Sequence, residues 1–110
     1  MALQHARSGE PLDVQPFGAA LPGQKTTALF KSAQLEVMRL VLMAGKALPP
    51  HQMPGEVTIQ CIEGELDVTV AGESHRLAAG QLLFLEGGTP HGVVALRDAS
   101  ALVTLVLPQP

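Results

Sequence analysis

The 110-residue chain predicts an all-β domain, a barrel or sandwich of short antiparallel strands. Three observations lead there. Seven short runs are rich in β-branched and aliphatic residues: 26–32, 34–43, 57–62, 65–70, 82–85, 92–96 and 101–107. Gly, Pro or Asp marks most of the breaks between them, as in GKALPP, PG, EG, AGE, AAG, GGTP and RDAS. No segment carries an apolar stripe at helical spacing over three turns, so no helix longer than about two turns is expected.

The elements follow in order. Residues 1–10 are polar and unpatterned, and predict a flexible N-terminus ahead of one domain over residues 11–110. Pro11, Pro16, Pro22 and Gly23 limit the next stretch to short extended pieces. In 34–43 the second half is apolar on both faces, with Met38, Leu40 and Leu42 on one and Val41 and Met43 on the other. The run 65–70 is one-sided: Leu66, Val68 and Val70 oppose Asp67 and Thr69. The run 101–107 again is apolar on both faces. An antiparallel barrel in water leaves one face of each strand polar, so two-sided apolarity implies a covered outer face. A homodimer partner is the simplest cover, and the N-terminal segment folding back is the alternative. Arg39 lies inside such a strand and needs a partner if buried. A carboxylate across the dimer is preferred, with an anionic ligand inside the barrel as the other reading.

Composition excludes several classes of function. The chain is 46% hydrophobic and 15% charged, enough for a core and too little charge for a disordered chain. The net charge is −3 and the seven basic residues are scattered singly, so nucleic acid finds no basic stripe. There is no Trp or Tyr, and Phe occurs only at Phe17, Phe30 and Phe84, which leaves no stacking platform. Cys61 is the only cysteine, so no intramolecular disulfide forms, as suits a cytoplasmic protein. The N-terminus has no apolar signal core, and the stretch 37–47 is too short to span a bilayer.

Two spacings carry a family resemblance. Gly45, His51, Met53, Val57 and Gly64 fall at the positions Gly, His, His, Glu, Gly of the first cupin motif. Gly80, Glu86, Gly88, His91 and Ala95 fall at the positions Gly, Pro, Gly, His, Asn of the second. The chain therefore resembles a small single-domain cupin of the RmlC-like superfamily over about residues 26–107. The resemblance implies a double-stranded β-helix, a jelly-roll-like barrel with a pocket at one end. In metal-binding members the motif histidines and glutamate converge on one divalent transition metal, commonly iron, manganese, nickel or zinc. Here His51 and His91 remain, Met53 replaces the second histidine, and Val57 replaces the glutamate. A thioether is a soft ligand that suits copper(I) better than iron or manganese. Glu56 and Gln60 are the candidates to complete the set, although strict alternation puts both on the face opposite Val57.

The pocket reading is thus His51 and His91 as a polar end, with Met53, Val57 and Ile59 as an apolar floor. The function expected is binding of a small organic molecule in the barrel mouth. A metal-dependent dioxygenase, isomerase or lyase is the first alternative, and a non-catalytic sensor or regulatory dimer the second. No residue is assigned a catalytic role. His75 reads as a surface or edge histidine, His5 as part of the N-terminal tail, and Cys61 as an inert core thiol.

Overall fold

The structure is a computed structural model that describes residues 6–110, and at position 51 the backbone alone. Its strands are β1 (Thr27–Lys31), β2 (Leu35–Leu42), β3 (Ala47–His51), β4 (Val57–Glu63), β5 (Glu65–Val70), β6 (Glu73–Ala78), β7 (Leu82–Leu85), β8 (His91–Ala95) and β9 (Ala99–Val106). They form a five-stranded sheet, β1-β2-β9-β4-β7, and a four-stranded sheet, β3-β8-β5-β6. Every pairing is antiparallel. Most neighbours are distant in sequence, as in a jelly-roll barrel.

Two of these strands fall outside the seven sequence runs. β3 contains Pro49 and Pro50, which read as a break. It is an edge strand, where a missing N–H is tolerated. β6 buries only Leu77 and is the other edge of its sheet, so it needs no two-sided apolar pattern. Between residues 11 and 25, where only extended pieces are expected, Gly18–Gly23 forms a 3-10 helix with Leu21 buried. The fixed φ of Pro22 is compatible with that helix. The expectation of a flexible tail at residues 1–5, His5 included, lies outside the described residues. Ala6 donates its N–H to the Leu29 carbonyl (2.9 Å), which ties residue 6 to β1.

The core lies between the sheets. On β4, Val57, Ile59 and Cys61 are buried, while Thr58 and Gln60 are half-buried on the other face. Leu40 and Leu42 of β2, Leu66 and Val68 of β5, Val93 of β8 and Leu105 of β9 meet them. Each such aliphatic side chain contributes about 1.5–3 kcal/mol of transfer free energy. The β4–β5 turn needs glycine at Gly64, where φ is +77° and an added Cβ would strike the Asp98 carbonyl.

The outer face of the larger sheet is covered in part from within. A bulge between Cys61 and Glu63 brings Glu63 opposite Ser100 of β9. The Glu63 carboxylate accepts from the N–H groups of Phe17 (2.9 Å) and Gly18 (3.1 Å) and from Ser100 Oγ (2.5 Å). Arg39 is 3% exposed; its Nη2 donates to the Gln15 carbonyl (2.7 Å) and Ser100 Oγ (3.0 Å) and lies 3.5 Å from Glu63. The guanidinium sits 4.2 Å over the Phe17 ring. This corrects both sequence readings of Arg39. Its carboxylate partner belongs to its own chain, because the bulge turns Glu63 onto the Arg39 face.

Candidate functional site

The site is assembled from the two motif loops and the strands they feed. The turn before β8 is strapped to the segment after β3. Gly88 donates its N–H to the Met53 carbonyl (2.7 Å), and Gln52 Nε2 donates to the Gly88 carbonyl (2.6 Å). Gly87 has no room for a Cβ, which would meet the Pro54 carbonyl. These contacts place Met53 beside the start of β8, where His91 stands.

His91 is 5% exposed. Its Nδ1 lies 3.1 Å from the Thr89 carbonyl. A carbonyl only accepts, so Nδ1 carries a hydrogen in this contact. The side chain lines an interior cavity of about 80 Å³. The other walls come from Met38 and Leu40 of β2, Leu48 of β3, Met53, Val57 and Ile59 of β4, Val93 of β8, and Val103 and Leu105 of β9. His91 also borders a shallow groove of about 230 Å³ that Pro50, Thr69, Ala71 and Pro90 line. The imidazole thus stands where the interior meets the barrel end.

The sequence-derived residues separate in space. Met53, Val57 and Ile59 share the cavity with His91. The backbone of His51 is opposite His91 in the β3–β8 register. Glu56 is exposed and precedes β4; its carbonyl accepts from Val106 (3.0 Å). Gln60 pairs with Leu82 and Leu102 in the register and lies with Thr58 on the face away from the cavity. Among the described residues no three His, Cys, Asp or Glu side chains gather as a metal cluster. The described donors at the cavity are one imidazole and the thioethers of Met38 and Met53. That set does not fit a hard divalent ion, which favours oxygen and charged donors.

Three other titratable groups are explained by structure. Burial pushes the Glu63 carboxyl up, but the hydrogen bonds from Ser100, Phe17 and Gly18, together with Arg39, outweigh it and hold it below the usual carboxylate range. Burial pushes the Cys61 thiol up, and its Sγ contacts the Glu63 carbonyl (3.4 Å). His75 is on edge strand β6, half exposed, with Nε2 3.9 Å from the Glu73 carboxylate. A larger open groove of about 460 Å³ lies between β1 and residues 6–12. Its charged residues, Arg7, Glu10 and Lys31, are all exposed, so it offers no desolvated polar group.

Sequence reasoning missed Met38 as a cavity residue. Its alternation with Leu40 and Leu42 was the available signal. It also missed the Glu63–Ser100–Arg39 cluster, which a bulge hides from any pattern of alternation.

Among the described residues no helix is long and apolar enough to cross a membrane. No curated protein matches the chain in sequence. A conserved protein of unknown function from Streptococcus pyogenes is similar in structure, with 22% identity, both chains covered in full and a TM-score of 0.77. An RmlC-like cupin from Desulfovibrio desulfuricans shares 28% identity over 93% of this chain and 97% of its own, with a TM-score of 0.70. Salicylate 1,2-dioxygenase from Pseudoaminobacter salicylatoxidans, in complex with gentisate, matches 66% of this chain and 20% of its own at 20% identity and a TM-score of 0.64. That last likeness is one of fold. The family description "Cupin domain" matches residues 38–107, which span both motif loops and the cavity walls from Met38 to Leu105, and the chain belongs to that family.

Proposed function

We propose that this protein binds a small organic molecule at the barrel mouth, with its apolar part in the interior cavity and one polar group against His91. The observation that carries the reading is a buried imidazole in a cavity otherwise walled by aliphatic and thioether side chains. A few polar groups in an apolar enclosure are what orient a small ligand. The cavity of about 80 Å³ limits the inserted part to a few heavy atoms, since a liquid water takes about 30 Å³. Short-chain alcohols, ketones and carboxylic acids are the matching chemistry. The test is a panel of these compounds followed by methyl NMR. Binding should shift the Val57, Ile59 and Val93 methyls, and His91→Ala should weaken it. A panel that leaves those methyls unmoved, while the protein is folded, overturns the reading.

The chain is also proposed to pair with a second copy and to reside in the cytoplasm. Leu82 and Phe84 of β7 are 63% and 56% exposed on the outer face, beyond the reach of the N-terminal cover. Cys61 is a free thiol, as suits a reducing compartment. Light scattering at micromolar concentration should give twice the monomer mass, and Phe84→Asp should reduce it to one. A monomeric wild type overturns the pairing.

A further inference from the structure

We propose that Gln52 is a positioning residue for the barrel mouth. Its side-chain amide fixes the Gly88 carbonyl, and through the Thr89 carbonyl it sets the orientation of the His91 imidazole. This rests on the reading of His91 as the group that orients a small ligand. The sheet alone does not fix the ring. Register with Val70 places the His91 backbone, whereas χ2 of a histidine is broad and two-fold, so the ring takes its rotation from what it bonds. The Thr89 carbonyl, 3.1 Å from Nδ1, is such a partner. Where that carbonyl points is decided by the turn before it.

That turn hangs on residue 52. Gly88 has a φ of +78°, and a glycine leaves any one conformation easily, so the peptide between Gly88 and Thr89 needs an external hold. Its N–H makes a long bond, 3.3 Å, to the Glu86 carbonyl. Its carbonyl accepts from Gln52 Nε2 at 2.6 Å, the shorter contact. The N–H of Gly88 goes to the Met53 carbonyl (2.7 Å), so consecutive residues 52 and 53 grip both sides of residue 88. Pro90 transmits the setting. It biases Thr89 toward extended backbone and has its own φ fixed, so few torsions are free between the gripped peptide and His91. A ring held in its binding orientation before the ligand arrives costs less to order on binding. Gln52 itself is exposed and lines no part of the interior cavity, so its loss acts on the mouth and spares the core.

The experiment uses the full chain without metal and two variants. Gln52→Met removes the donor at nearly constant size and charge, and Gln52→Lys keeps a donor on a longer arm. Long-range proton–nitrogen spectra follow the imidazole rings, with His75 on β6 as the internal control. The Val57, Ile59 and Val93 methyls report the affinity for two neutral probes, isopropanol and methyl ethyl ketone. Gln52→Met should move the His91 Nδ1 resonance, leave His75 in place and keep the urea midpoint. It should weaken both probes about fivefold, the worth of one net hydrogen bond. Gln52→Lys should restore the His91 signal and the affinity together. The proposal is overturned if the His91 resonances of Gln52→Met superimpose on wild type, or if the ring moves while affinity stays. It is also overturned if affinity falls only in proportion to the urea midpoint and lysine does not recover it. A wild type that binds no compound of the panel overturns the ligand reading, and the ring resonances then decide the positioning by themselves.

Discussion

Two polar islands interrupt the apolar interior, and they are built on opposite terms. At Arg39 the groups are charged and their partners are many: a carboxylate, a hydroxyl, three backbone groups and an aromatic ring surround one another. Among the buried side-chain nitrogen and oxygen atoms of the described residues, only Arg39 Nε is without a hydrogen-bond partner. At His91 one imidazole faces thioethers and aliphatic groups across open space. The contrast argues against taking the densest cluster of charge as the active region. Glu63 has its oxygens occupied by Phe17, Gly18 and Ser100, and so has little capacity left for a ligand. The cluster fastens residues 15–18 to the sheet. The cavity instead encloses open space beside the imidazole.

The largest expected effect breaks the first island. Glu63→Ala should lower unfolding free energy by about 3–5 kcal/mol, because it leaves the buried Arg39 charge without its counter-charge and two backbone N–H groups without their acceptor. Urea denaturation measures it, and residues 15–18 should become protease-sensitive in the variant. A cost under about 1 kcal/mol would place Glu63 with ordinary surface pairs and dissolve the contrast.

Next comes the second island. Val57→Glu should cost the metal-free protein a few kcal/mol, on the order of 3, because the new carboxylate would enter an apolar wall. Combined with Met53→His, the same change supplies the family's missing donors, and zinc or manganese should then restore the melting temperature. If Val57→Glu melts with wild type in the absence of metal, the cavity is wet and its reading as an apolar enclosure fails.

A smaller effect separates the islands by pH. The folded Glu63 pKa is lower than its unfolded value, so its contribution to stability is fully present above the unfolded carboxylate pKa, about 4.3. It is lost as pH falls through the lower folded value. Wild type should therefore lose stability below about pH 4.3 more steeply than Glu63→Gln, which has no carboxylate to protonate. Parallel acid limbs in urea melts would show that other carboxylates dominate.

The legible and illegible parts of this molecule divide along the same physical line. Central strands such as β4 and β5 were readable because burial on one face imposes a period of two. Edge strands β3 and β6 were not, because solvent on their free side relaxes both the proline rule and the apolar pattern. Val57 and Ile59 could be placed by alternation, and His91 by motif spacing. The Arg39 partner could not, since one bulged residue at Cys61/Glu63 shifts every later side chain on that strand to the other face. The apolarity of 38–43 on two faces correctly signalled a cover but could not say which. Residues 15–18 cover one end of that face, while Leu82 and Phe84 at β7 stay exposed.

The smallest expected effect is the sharpest test of the comparison. Met53→Leu nearly conserves volume and apolarity, so its cost should be under about 1.5 kcal/mol. Its backbone carbonyl still accepts from Gly88, so the strap between the motif loops is untouched. If the cavity were only core, nothing else should change. A functional cavity predicts a dissociation of the two readouts: urea midpoints stay close to wild type while affinity for the small organic ligand falls. The Arg39 island predicts the reverse, with Glu63→Ala losing stability while the His91 site of whatever protein stays folded keeps its affinity. Measuring both properties on both variants gives four numbers from one set of preparations. If Met53→Leu lowers stability and affinity in proportion, the thioether acts through packing. The division between a structural island and a functional one then has to be abandoned.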